Sequence, residues 1–373
     1  MTDLAAIVKT YAGLGHHRTG STKDRATVDW LETMLQGMGA DITRHPFVFQ
    51  QFDAHATWVG DHEPCPLLPL WYAGDGDLNT SELHIDSLDA DGNHSPADVE
   101  VRLQEIIATA RRKGAIATVV ATLCANNGLC AINRAAGERL DFPVVLAPGG
   151  AVAALHQGTP ELAWHAATSD ASAENLSASF NPTGSGAPPL VITTPISGWF
   201  GCAGERGTGL AVALTTACRV GAQHPVLLVL NSGHEIGYLG GHRFHEGLKG
   251  PIGAVLHIGS CVADRTAYDG LTAPSVIANT NLANGAVQTV QDALAPLALA
   301  PQNPEHPLDP ASWIGESQIW AQDGKPMLSI AGTSPNFHTV EDTVEACLDA
   351  DLLETVTAAL VVCAEALIGA SGV

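Results

Sequence analysis

Apolar positions Leu4, Ile7, Val8 and Tyr11, and then Val28, Leu31, Met34 and Leu35, recur at the three- and four-residue intervals that place side chains on one face of a helix. The chain is expected to open with two amphipathic helices, and the polar, Gly-broken stretch HHRTGSTKD between them reads as a turn. A strand-like run with partial alternation follows at 42–52. From Asp53 the pattern changes. Turns gather around Pro64 and Pro66, and an acidic polar stretch runs from Asp75 to Asp98. A helix is expected over 99–113, followed by the short apolar strands ATVVAT and FPVVLAP. The polar run from Ser169 to Glu174 closes this section, and a strand at 176–180 resumes the main sheet. The expected division is therefore 1–52 for the first part of a main domain, 53–165 for a small β-rich insert, and 166–373 for the rest.

In the last part, strands at 190–194, 226–230, 254–258, 275–279 and 327–330 alternate with helices at 207–220, 240–248, 286–294 and 352–367. Short continuous apolar strands set between helices indicate an α/β fold, with a mixed, mostly parallel central sheet covered by helices on both faces. A length of 373 residues exceeds what one core usually fills, which agrees with a large domain carrying an insert.

Composition narrows the partners. Hydrophobic residues make up 46% and charged ones 15%, a balance that excludes a mostly disordered chain. The 17 Lys and Arg against 39 Asp and Glu give a formal charge of -22, which repels phosphate backbones and anionic lipid, so neither nucleic acid nor a membrane is an expected partner. No apolar run of roughly 18 to 20 residues is evident, and residues 1–20 lack a basic segment followed by an apolar one, so a cytoplasmic location is expected. Eight cysteines without a CxxC pair read as free thiols; Cys124 and Cys130, in CANNGLC, are the pair near enough in sequence to bridge or to bind metal. Chains of this kind are often homo-oligomers, and no segment marks an interface.

Functional groups in open α/β sheets gather in loops beyond the carboxyl ends of strands. Four such loops stand out: PISGWFGCAGERGTG, NSGHEIGYLGG, GSCVADR and AGTSPNFHTVEDT. Glu205, Glu235 and His338 lie on three of them, and two carboxylates with one imidazole suffice to hold zinc with a fourth position open to water. Ordinary hydrogen bonding and ion pairing is the competing reading, and an ion pair between Glu205 and the adjacent Arg206 would favour it. GERGTG lacks the lysine of a phosphate loop. Trp199, Phe200, Trp313 and Trp320 are candidates for an apolar pocket or for packing.

Taken in order, these motifs resemble the zinc-dependent aminopeptidases, metallopeptidase family 28, which also contains the glutaminyl cyclases. HRTGS with DWLETMLQGMGADI is similar to the family's opening helices, GERGTGLAVALTTA to its first metal-binding helix, SGHEIGYLG to its paired-glutamate loop and FHTVEDT to its last metal-histidine motif. The insert resembles a protease-associated domain. The resemblance implies metal ligands at Glu205, Glu235 and His338, and it also exposes departures. Pro195-Ile196-Ser197 stands where the family has His-x-Asp, His234 where it has its general-base glutamate, and His257 where it has a metal aspartate.

One metal position thus looks dismantled, and a single zinc per chain is expected. His234 is then a proton shuttle, a ligand or a loop histidine; His257 is a ligand or a satisfied buried histidine; Glu316 holds a substrate amine or is solvated. The function expected from the resemblance is metal-dependent hydrolysis of an amide or peptide-like bond in a small amino-containing molecule or short peptide. A cyclotransferase of glutaminyl-cyclase type, and a metal-free member that binds a ligand or assembles with partners, are the alternatives.

Overall fold

Both opening helices form where the spacing places them. In the computed structural model of the chain, helix Leu4–Leu14 buries Leu4, Ile7, Val8 and Tyr11, and helix Thr22–Gly37 buries Val28, Leu31 and Leu35. Each is started by a capping side chain, Asp3 accepting from the Ala6 amide and Ser21 from the Asp24 amide. The structure describes residues 3–59, 64–90, 96–157, 160–181, 186–270 and 273–372.

The strands, in chain order, are β1 (Asp41–Trp58), β2 (Leu68–Pro69), β3 (Gly76–Thr80), β4 (Leu83–Asp89), β5 (Ala117–Leu123), β6 (Val144–Pro148), β7 (Leu162–Phe180), β8 (Leu190–Pro195), β9 (Val226–Asn231), β10 (Ala254–Ile258), β11 (Val276–Thr280) and β12 (Met327–Gly332). The main sheet has the order β1-β7-β9-β8-β10-β12-β11, with β3 added on β7. Its centre, β9-β8-β10-β12, is parallel. Antiparallel strands flank it, β11 on one side and β7 with β1 on the other. The sheet is mixed and mostly parallel at its core, as the apolar strands predict. A second sheet, β2-β6-β5-β4, lies within Leu68–Pro148 and is packed by Leu103, Ile106 and Ile107 of helix Pro96–Arg112.

Three expectations need correction. The polar run from Ser169 to Glu174 does not end a section. It lies inside β7, paired residue by residue with β1, so the two strands make one long ribbon. Its middle is exposed, and the backbone ladder holds it where no apolar alternation could announce it. The acidic stretch from Asp75 contains β3, whose polar residues are largely exposed, and β4, whose residues up to Leu88 are buried or half-buried. Finally, the closing helix Ala350–Ala370 is by length and composition long and apolar enough to cross a membrane. One face of it, including Leu353, Val356, Leu360, Cys363 and Leu367, is buried in the main core.

Candidate active site at the carboxyl edge of the sheet

Because β8, β9, β10 and β12 run parallel, the loops that follow them emerge at one edge. Ser197 follows β8. His234 and Glu235 sit in a single turn after β9, between Gly233 (φ 86°) and Gly237 (φ 79°). His338 follows β12 and is itself left-handed, with φ 58°. Glu205 lies in the π-helical turn Ala203–Gly207 that leads into helix Thr208–Gly221, an irregularity often found at functional sites. The Asp342 carboxylate fixes that turn by accepting the Gly204 and Glu205 amides at 2.6 and 2.9 Å.

The loop after β9 folds back tightly. A Cβ on Gly240 would lie 1.9 Å from the Ser232 carbonyl oxygen and 2.5 Å from Asn175 Oδ1. Gly240→Ala is therefore expected to destabilise the protein by about 1–3 kcal/mol, read as a lower urea midpoint.

Glu205 is wholly buried and paired with the next residue. Arg206 Nη2 lies 2.6 Å from Glu205 Oε1, both side chains being 1% exposed or less. Arg206 Nε donates to the Ser197 carbonyl at 3.0 Å, which fixes the guanidinium from a second side. Burial alone would raise the Glu205 pKa, but the charge of Arg206, helped by His338, brings it down to about 2. His338 joins this pair, with Nε2 3.2 Å from Glu205 Oε1 and Nδ1 3.2 Å from the Ala131 carbonyl.

Glu235 is engaged elsewhere. Its Oε1 accepts the Thr19 amide at 2.6 Å and its Oε2 the Ser197 hydroxyl at 2.7 Å. Ser197 Oγ in turn accepts the amides of Gly233 and His234 at 2.9 and 3.1 Å, so Glu235 ties the opening segment to the turn after β9. His257 is also occupied. Its Nδ1 lies 2.8 Å from Ser329 Oγ, and burial lowers its pKa to about 4. Of the four metal candidates the structure brings together Glu205 and His338, and it places Glu235 and His257 in separate hydrogen-bond systems.

A pairing absent from the sequence motifs joins His234 to Glu316. His234 Nδ1 lies 3.0 Å from Glu316 Oε1, and Glu316 Oε2 accepts Asn231 Nδ2 at 3.0 Å. Glu316 is fully buried while His234 keeps 12% of its side chain exposed, so the carboxyl stands behind the imidazole and cannot grip a substrate amine. Burial pushes the Glu316 pKa up. Burial, with the Arg206 charge second, pushes that of His234 well below the ordinary 6.5, so the imidazole is neutral at pH 7.

His234 and His338 both face a cavity of about 570 Å³ whose walls include Val99, Ile132, Ile277, Ile314 and Phe337. The segments around the second sheet contribute Ala90, just past β4, Val99 of helix Pro96–Arg112, and Ala131 to Asn133 in the loop after β5. Sequence reasoning missed that wall, although CANNGLCAINR follows a parallel strand as the other site loops do. The tryptophans do not line it. Trp199 donates to Asn133 Oδ1 and meets Trp71 edge-on, Trp313 donates to the Pro307 carbonyl, and Trp320 packs on His245. Cys124 and Cys130 are unbridged.

No protein-family model matches this chain, and no curated protein does. Solved structures do. A zinc aminopeptidase from Bacillus subtilis superposes with a TM-score of 0.73 at 13% identity, over 97% of this chain and 93% of that one. A peptidase M28 precursor from Shewanella amazonensis gives 0.73 at 15% identity, over 99% and 93%. A glutaminyl cyclase from Porphyromonas gingivalis gives 0.53 at 12% identity, over 97% and 96%. The resemblance read from the motifs is borne out as a likeness of fold.

A metal does not fit the residues as they stand. Among the described residues no three His, Cys, Asp or Glu side chains are arranged to hold one. The guanidinium of Arg206 already covers Glu205 Oε1, and both oxygens of Glu235 carry hydrogen-bond donors.

Proposed function

We propose that the chain is a hydrolase of an amide-like bond in a small, uncharged, largely apolar molecule, and that the His234–Glu316 pair activates water without a metal. The observation that carries this reading is the His234 imidazole, held at 3.0 Å by a fully buried carboxyl and presented to the cavity. With Nδ1 protonated toward Glu316, Nε2 is the base. It takes a proton from water as the oxygen adds to the substrate carbonyl carbon. It returns that proton to the leaving nitrogen as the C–N bond breaks, giving an acid and an amine. Glu316 orients the ring and Asn231 orients Glu316, the division of labour found in hydrolytic triads.

Cavity chemistry supports an uncharged substrate. Among the described lining residues there is no Asp, Glu, Lys or Arg, so an ammonium would lose its hydration without gaining a counter-charge. This changes the class of molecule expected from sequence, which was amino-containing. The similar structures include a zinc aminopeptidase and a glutaminyl cyclase, which supports a reaction at an amide-like bond. A second reading, a hydrolase with one zinc, draws on the buried Glu205 carboxylate and His338 Nε2, which lies 3.2 Å from Glu205 Oε1.

Matched acyl anilides with blocked and free amino groups, assayed with and without a strong chelator, separate the two. The expected result is faster turnover of blocked substrates, unchanged by the chelator. Turnover confined to free amines and abolished by the chelator would replace the first reading with the second.

A further inference from the structure

We infer that Cys124 and Cys130, behind the wall of the cavity, are a modification site: a thiol pair that hydroperoxides oxidise to a disulfide. The inference goes beyond the reaction proposed above and does not rest on it. Cys124 follows β5 directly and opens a turn in which the Asn127 amide donates to the Cys124 carbonyl at 3.0 Å. The chain then doubles back, so that the Cys130 amide donates to Thr122 Oγ1 at 3.0 Å, beside the end of the strand that Cys124 leaves. This reversal brings the two side chains together, and the Cys130 thiol hydrogen-bonds to Cys124 Sγ. Asn126 pins the loop from outside, its Nδ2 donating to Asn336 Oδ1 and Thr339 Oγ1, each at 3.2 Å.

The two sulfurs have different surroundings. Cys124 is half-buried and Cys130 buried. As a thiol Cys124 donates to Asn126 Oδ1 at 3.1 Å. Its thiolate is stabilised by the Cys130 thiol and by the backbone amides of Gly128 and Asn126, which bring its pKa down to about 7 against burial and the Glu341 charge. Burial pushes Cys65 up to about 11 and Cys363 up to about 12. Cys124 is therefore the attacking sulfur and Cys130 the resolving one. The Cys124 thiolate attacks a peroxide oxygen: an S–O bond forms, the O–O bond breaks, and the departing oxygen takes up the proton that Cys124 gave to solvent. The Cys130 sulfur then displaces the hydroxyl from Cys124 sulfur, forming the S–S bond, and the Cys130 proton leaves with that hydroxyl as water. With hydrogen peroxide, two thiols and one oxidant give one disulfide and two waters. The step consumes the S–H through which Cys130 contacts the Ala90 carbonyl at 3.1 Å and the Phe337 carbonyl at 3.6 Å, and both residues belong to the cavity wall.

The test is hydrogen peroxide added to the folded full chain at pH 7, followed by alkylation and peptide mass mapping. Cleavage after Lys113 and Arg134 releases a peptide that holds both cysteines and no other. In the wild type this peptide is expected to lose two hydrogens, to resist alkylation, and to regain both thiols in dithiothreitol. In Cys130→Ser, which keeps a hydrogen-bond donor, oxidation should stop at a sulfenic acid on Cys124, trapped by dimedone at least about ten-fold faster than any at Cys65. In Cys124→Ser the remaining Cys130 should stay reduced. The wild-type map needs no variant, so it decides even where Cys130→Ser does not fold. Both thiols still alkylated after Cys65 has reacted would overturn the inference. So would a sulfinic acid on wild-type Cys124 with no bridge, or a bridge that forms only in urea-unfolded chain.

Discussion

His234→Ala is expected to lower turnover by at least about 10²-fold, the low end for loss of a general base, while leaving the fold intact. His234 is mostly shielded, but its turn is held by the Ser197 hydroxyl, which accepts the Gly233 and His234 amides, and by the buried side chain of Ile236. The pH profile gives the sharper readout. Only neutral imidazole accepts a proton, so activity falls on the acid side as His234 becomes protonated. A solvated histidine would place that limb near 6.5, but burial and the Arg206 charge both disfavour the imidazolium, so the limb should lie clearly below 6.5. In His234→Ala the residual activity should lack this limb. Glu316→Gln should keep much of the fold and lose rate, because an amide cannot orient the ring as the carboxyl does. Full activity in His234→Ala, or a wild-type limb at or above 6.5, would remove His234 from the reaction.

How much of this was legible in the sequence depends on the range over which each signal acts. The strand at 254–258 is a short run buried on both faces, and the structure has it at those bounds, while the other strands of the parallel core agree to within two residues. The β1–β7 ribbon was half hidden, because its middle gains from backbone pairing to a strand more than a hundred residues away and buries little. At the site, the Glu205–Arg206 pair was visible as a neighbouring acid and base. The His234–Glu316 contact spans 82 residues and that between Glu235 and Thr19 spans 216. Nothing local in SGHEIGYLG distinguishes a carboxylate that faces a cation from one that accepts an amide and a hydroxyl. Of the two readings open to the tryptophans, a pocket wall or packing, the structure has packing: an aromatic near a site loop signals apolar surroundings, and here these are packed interior.

Glu205→Ala is expected to cost about 3–5 kcal/mol, because it leaves the Arg206 guanidinium buried without a counter-charge. The loss should be visible as a lower denaturant midpoint with a similar slope. Removing both charges together, as Glu205→Leu with Arg206→Leu, should be much milder than the single change, since the penalty lies in the unpaired charge more than in the missing contact. The difference between wild type and Glu205→Ala should also depend on pH in one direction. The carboxyl has an ordinary value of 4.5 and is held at about 2 in the folded chain, so its ionised form is favoured by folding. Its contribution is present in full above about 4.5 and is lost as pH falls toward 2, where the folded protein too takes up the proton. Two unfolding curves, at pH 7 and pH 3, therefore decide the matter: the gap between the two proteins should narrow at pH 3. A gap that is constant with pH would mean that Glu205 acts through packing alone and that Arg206 finds its compensation elsewhere, in the Ser197 carbonyl to which its Nε already donates.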